Sequence, residues 1–202
     1  MLQNLGRLDQ ELFLLLNGKH NAFFDFVMYW ASNQFIWIPF YLWLAVYLFR
    51  RLGKTVYYYY FCIALLITAS DQLSSHLIKN WARRPRPSHV PGISNMIHLS
   101  KAGPGGLYGF VSSHASNSFA LAIFLVLTLP PAYNWLKHLM VGWAFLVAYS
   151  RIYNGVHYPG DVLGGILLGS LLAFLFSRLF AYFIGAYLLA IRKISDKQHP
   201  VE

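Results

Sequence analysis

Three short blocks hold most of the residues in this chain that could bind and transform a small anion. KNWARRPRP at 79–87 offers Lys79 and Arg86, YGFVSSHASNSFA at 108–120 offers Ser112, Ser113 and His114, and SRIYNGVHYPGD at 150–161 offers Arg151, His157 and Asp161. Lys79, Arg86 and Arg151 are cations able to converge on one anion. The arginines are planar forks matched to phosphate oxygens, and the lysine is a mobile point charge. Ser112, Ser113 and His114 stand where an apolar run begins, so their backbone N–H groups would face outward with the positive end of a helix. Asp161 follows His157 by four residues, across Tyr158, Pro159 and Gly160. That spacing lets the carboxylate hold one imidazole nitrogen and present the other as a nucleophile or base, with His114 available as a general acid.

The carboxylates narrow the chemistry. All seven are Asp9, Glu11, Asp25, Asp71, Asp161, Asp196 and Glu202, and only Asp161 lies in the blocks. A carboxylate-built two-metal centre is therefore not available. The expected reaction runs on cations and histidines, with no metal and no cofactor. The single cysteine, Cys62, excludes an intrachain disulfide and a Cys-based zinc site.

Each block alone has a plainer reading. A lysine with Arg-Pro in a basic loop is ordinarily a solvated rim, a histidine four before an aspartate a capping arrangement, and Ser-Ser-His a helix N-cap. Those readings leave the joint occurrence unexplained. Other polar residues rank lower: Asp71 as a hydrogen-bond partner for a neighbouring helix, His76 as a packing residue, and Arg83 and Arg84 as lipid-headgroup contacts or exposed charges. Asp25 reads as an interfacial cap, and His89 and His98 have no assigned role in their Pro/Gly-rich loop.

The elements that must position these blocks are membrane helices. Of 202 residues 57% are hydrophobic and only 11% charged, and mean hydropathy is +0.45. A soluble domain carries about a quarter charged residues. The composition excludes disordered, collagen-like and mucin-like chains and points to an integral membrane protein. The formal charge of +9, from 16 basic and 7 acidic residues, would suggest nucleic acid in a soluble chain. Here the basic residues are scattered in short clusters between long apolar runs, which argues against it. Five runs approach or exceed the roughly 20 helical residues that span a bilayer core: 28–49, 56–77, 114–129, 135–153 and 162–191.

Residues 5–17 place Leu8, Leu12, Leu15 and Leu16 on one helical stripe and Asp9 and Glu11 off it. Crossing the membrane would bury Glu11, Lys19 or Asp25, so the reading is an interfacial amphipathic helix within 1–27. A sixth span is the alternative, and no cleavable signal peptide is expected. Arg50, Arg51 and Lys54, then Lys137, then Arg192, Lys193 and Lys197 fall on one side by parity, which the positive-inside rule makes cytoplasmic. The loops 79–113 and 154–161 then share the opposite side. All three blocks meet there, although they played no part in assigning it.

The blocks resemble those of the type 2 phosphatidic acid phosphatases, membrane relatives of acid phosphatases and vanadium haloperoxidases. That family's pattern is a Lys, six residues and Arg-Pro; then Pro-Ser-Gly-His; then Ser-Arg, five residues, His, three residues and Asp. This chain has Lys79 with Arg86-Pro87, then Val111-Ser112-Ser113-His114, then Ser150-Arg151 with His157 and Asp161. The first and third blocks keep the full spacing. The second replaces Pro with Val111 and Gly with Ser113, which removes backbone freedom and adds a hydroxyl beside the expected anion.

The resemblance implies an all-α membrane bundle in one domain over 1–202, with an extracytoplasmic active-site loop at 78–113 and a cytoplasmic tail at 192–202. It implies metal-independent hydrolysis of a lipid phosphate or diphosphate. His157, held by Asp161, would form a phosphohistidine, and His114 would protonate the leaving oxygen. Lys79, Arg86, Arg151, Ser112 and Ser113 would bind the phosphate. Bacterial members suggest undecaprenyl diphosphate, phosphatidylglycerol phosphate or phosphatidic acid as substrate. They place the enzyme in the bacterial inner (plasma) membrane with its site on the periplasmic face. The alternatives are a lipid A phosphatase or a lipid phosphotransferase using the same site and, more distantly, an anion transporter. The expected partners are the bilayer and its lipid phosphate, with no nucleic acid and no obligatory protein partner.

Overall fold

In a computed structural model, which describes residues 2–101 and 103–198, the chain is built from helices. In order they are α1 (Leu2–Asn17), α2 (Ala22–Ser32), α3 (Ile38–Leu52), α4 (Val56–Asp71), α5 (Lys79–Ala82), α6 (Ser113–Thr128), α7 (Asn134–Tyr153) and α8 (Pro159–Gln198). The backbone of residues 192–198 continues α8, and residues 199–202 of the expected tail lie outside the described residues.

The expected first span, 28–49, is not one helix. The Asn33 side chain accepts from the Phe35 N–H at 2.9 Å and starts a 3₁₀ turn, Gln34–Trp37, between α2 and α3. Asn competes for backbone donors in this way and ends helices. Pro39 then falls in the first turn of α3, where its missing N–H breaks no intrahelical bond. Among the described residues two continuous stretches are apolar and long enough to cross a membrane: Gln34–Ala82, which includes the turn Gly53–Thr55, and Pro159–Gly185.

The second span ends differently from expectation too. A seven-residue π-helical stretch, Gln72–Ile78, joins α4 to α5, so Lys79 sits on a helix. The following loop begins at Arg83, whose left-handed backbone (φ 47°) closes the helix.

At the centre stands α6, with Ala115, Ser116, Phe119, Ala120 and Phe124 buried. It packs on α8 through small residues. A Cβ at Gly165 would stand 2.5 Å from the Ser112 carbonyl oxygen, and one at Gly169 would meet the Ser116 carbonyl. Glycines four apart let two backbones approach in this way. On its other side α8 exposes Leu163, Leu167, Leu171 and Leu175, an apolar stripe that suits lipid better than water.

The N-terminal helix is amphipathic as expected, with Leu8, Leu12 and Leu15 exposed. Its other face is fastened to the bundle. Phe13 is fully buried, edge-on to Tyr158 at 5.3 Å. Asn17 donates to the carbonyls of Tyr153 (2.8 Å) and His98 (2.9 Å) and accepts from the His98 N–H at 2.7 Å. Asp25 does not cap α2, a role that Asn21 fills. Instead it accepts from Tyr153 at 2.7 Å and pairs with His98 at 2.8 Å, which ties the long loop to the start of α2.

Candidate active site

One cavity of about 640 Å³ is lined by Lys79, Arg86, Ser113, His114, Arg151 and His157. Residues from all three sequence blocks therefore meet on one wall. The same cavity is also lined by Leu44, Ile63, Ile67 and Leu121, with Trp37 and Trp143.

His157 lies in the connection between α7 and α8 and is 1% exposed. Its Nδ1 faces Asp161 Oδ2 at 3.4 Å, with Asp161 on the first turn of α8 and fully buried. The Tyr158 N–H donates to the same oxygen at 3.1 Å. With Nδ1 turned to the carboxylate, Nε2 is the nitrogen left for the cavity. Burial, then the charges of Arg86, Arg151 and Lys79, push the His157 pKa well below its ordinary value, so the ring is neutral.

Arg86 is 8% exposed. Its Nε donates to the Tyr108 carbonyl at 3.1 Å and its Nη1 to that of Val156 at 3.3 Å. Arg151, on the last turn of α7, donates to the Ser32 hydroxyl of α2, and its buried Nε has no partner among the described residues. Lys79 Nζ reaches Ser113 Oγ at 3.4 Å, and Ser113 shares a 2.8 Å bond with Ser75. The residue that replaces the family glycine thus turns its hydroxyl to the cavity. Ser112 does not line the cavity. It is fully buried, its Oγ accepts from the Ala115 N–H at 3.5 Å as the N-cap of α6, and its N–H donates to the Asp161 carbonyl at 2.9 Å.

Sequence reasoning passed over two residues behind the histidine. Arg84 Nη1 donates to Asp161 Oδ1 at 2.8 Å, and its Nη2 donates to Asp9 of α1 at 2.6 Å. Asp9 also accepts from the Gly160 N–H at 2.8 Å. Burial opposes the Arg84 charge, but Asp161 and Asp9 outweigh it and raise its pKa. The guanidinium also lies over the Tyr158 ring, 4.3 Å from its centroid, and burial pushes the Tyr158 hydroxyl up to about 12. The available signal was Asp161 itself, a lone carboxylate in a basic block that needs a charged partner once buried. Gly109 was missed too. A Cβ there would stand 2.8 Å from Asp161 Oδ2 and 3.5 Å from His157 Nδ1.

The family model for the PAP2 superfamily matches residues 60–185, which include Lys79, Arg86, Ser113, His114, Arg151 and His157. The chain belongs to the PAP2 superfamily. It is 36% identical over 202 residues to a lipid A 4'-phosphatase of Bacteroides thetaiotaomicron, covering 99% of this chain and 86% of that one. It is 31% identical over 183 residues to a lipid A 4'-phosphatase of Porphyromonas gingivalis, covering 90% and 76%. The crystal structure of a transmembrane PAP2 type phosphatidylglycerolphosphate phosphatase from Bacillus subtilis superposes with a TM-score of 0.64 at 24% identity, over 87% of this chain and 86% of that one. As a PAP2 protein the chain is a membrane lipid phosphatase, a hydrolase. The anion-transporter reading is set aside with that.

Proposed function

We propose that the enzyme removes phosphate from a lipid headgroup through a phosphohistidine, with the 4'-phosphate of a lipid A-type glycolipid as its first substrate. The observation that carries the mechanism is the single cavity whose wall joins Lys79, Arg86, Ser113, His114, Arg151 and His157. Likeness to two lipid A 4'-phosphatases over 99% and 90% of the chain supports the substrate.

In the first step His157 Nε2 attacks phosphorus, the bond to the leaving oxygen breaks, and His114 gives that oxygen a proton. Asp161 steadies the imidazole and the positive charge it acquires. In the second step water attacks phosphorus while His114 accepts its proton, the P–N bond to His157 Nε2 breaks, and inorganic phosphate leaves with His157 restored. Lys79, Arg86 and Arg151 neutralise the equatorial oxygens throughout. Ser113 supplies a hydroxyl at that wall, and Ser112 acts only by fixing the start of α6. Metal takes no part in either step.

The same reading places five helical spans in the bilayer, α3, α4 with α5, α6, α7 and α8. The site lies at their extracytoplasmic ends, with α1 and α2 at the interface. Phosphate release by the purified protein in detergent with EDTA tests it. Lipid A, phosphatidylglycerol phosphate, undecaprenyl diphosphate and phosphatidic acid are compared, with His157→Ala as control. Release by wild type alone, fastest from lipid A, is expected. Dependence on a divalent metal, or equal release by His157→Ala, would sink the mechanism.

A further inference from the structure

Asp71 and Lys79 belong to one continuous helical segment, and the π-helical stretch between them leaves Asp71, Ser75 and Lys79 all on the cavity wall. Asp71 lies about two helical turns before Lys79 along that segment. The facing helices repeat this layering. Asn117 follows His114 on α6, and Trp143 precedes Arg151 by two turns on α7, both lining the same cavity. A polar layer thus lies beyond the cations and before the apolar end at Leu44 and Ile63.

The polar atoms of this layer are incompletely paired. Asp71 Oδ1 accepts from Ser75 and from Asn117 Nδ2, each at 3.2 Å. No protein donor reaches Oδ2 among the described residues. Asn117 Oδ1 and Trp143 Nε1 are buried without a partner among the described residues. Native proteins rarely leave such groups unpaired. A fully ionised phosphate only accepts and so cannot complete a carboxylate. Hydroxyl and amide N–H groups donate, and a hydroxyl can also accept from an indole N–H.

We propose that Asp71, Asn117 and Trp143 form a headgroup subsite for the hydroxyl or amide N–H groups of a phosphorylated amino sugar, whose phosphate sits among Lys79, Arg86 and Arg151. This rests on the reading that the cavity receives a lipid phosphate. It deepens that reading by making the headgroup sugar, and not the acyl chains, the feature that Asp71 selects.

The test compares wild type, Asp71→Asn and Asn117→Leu on lipid A and on phosphatidic acid, which has no hydroxyl or amide donor next to its phosphate ester. Losing hydrogen bonds to a charged acceptor should lower kcat/KM for lipid A by about 10- to 100-fold, mainly through KM. Phosphatidic acid should change by less than about 2-fold, since it does not use those bonds. Equal losses on both substrates would make Asp71 a tie between α4 and α6 and overturn the subsite. No loss on either would overturn it as well.

A binding arm separates the subsite from the hydrolysis itself. Dephosphorylated glycolipid is titrated against the fluorescence of the protein, whose Trp37 and Trp143 line the cavity. Saturable binding that Asp71→Asn weakens sustains the subsite even where turnover fails. Absent or unchanged binding overturns it.

Discussion

Arg84 and Asp161 stand 77 residues apart in sequence, yet the guanidinium Nη1 donates to the carboxylate Oδ1 at 2.8 Å. Asp161 offers its other oxygen to His157, so Arg84 lies behind the partner of the proposed nucleophile. The second fork of Arg84 ends on Asp9. The N-terminal helix is thereby joined to the His157–Asp161 pair through one side chain.

Replacing Arg84 by Ala leaves a buried carboxylate with the Tyr158 N–H and His157 as its remaining partners. A charge-assisted bond of this kind is worth about 1.5–3 kcal/mol, so kcat should fall about 10- to 100-fold. Arg84→Lys keeps the charge but cannot serve Asp161 and Asp9 together, and should lie between. Asp9→Asn should cost less, and the double variant should lose less than the product of the two. Independent effects in that kinetic cycle would show that Asp9 does not act through Arg84.

Gly109→Ala tests the same pair from the opposite side. Its Cβ would stand 2.8 Å from Asp161 Oδ2, so the carboxylate or the loop has to move. Misplacing a catalytic group by about 1 Å can cost about 100-fold. The expected result is a large fall in kcat with the thermal midpoint shifted by only a few degrees. Wild-type kcat would show that the loop adjusts without disturbing His157.

How much of this was legible in sequence depended on range. Lys79, Arg86, His114, Arg151 and His157 were found from local spacing, and all of them line the cavity. Asp161 was found because its partner is four residues away. Arg84 was set aside because Asp9 lies 75 positions from it, and no local pattern encodes such a pair. Ser112 was read as a phosphate ligand because a helix start offers both roles, cap and anion site, and only the fold chooses between them. The break at Asn33 was hidden in an apolar run where hydropathy outweighs one capping side chain. The π-helical stretch adds no composition signal, so the placing of Lys79 on a helix could not be read in advance.

The pH dependence follows from His157. Burial and nearby cations depress its pKa, so the reactive neutral form persists as pH falls below the ordinary histidine value of about 6.5. The profile of kcat/KM reports the free enzyme. Corrected for the substrate's own ionisation near pH 6, its acid limb should lie well below the ordinary histidine range, while any alkaline limb belongs to His114 as the proton donor. An acid limb at about 6.5 would mean that His157 titrates as an exposed histidine does.

Substitution at the two histidines should fail in different ways. His157→Ala removes the atom proposed to bond to phosphorus, so neither product nor phosphoenzyme should form from any substrate. His114→Ala removes the proposed proton donor, and turnover of an alkyl phosphate should drop by about 10²–10⁴-fold. An aryl phosphate has a leaving group that departs without a proton, so its first step should survive in His114→Ala. The second step still lacks the base that activates water. The expected record is a burst of aryl alcohol close to one equivalent per enzyme, followed by slow release, with an acid-labile phosphoryl group retained on the protein. A linear time course without a burst, equally slow for both leaving groups, would remove His114 from the proton-transfer role and leave it as a residue that shapes the cavity.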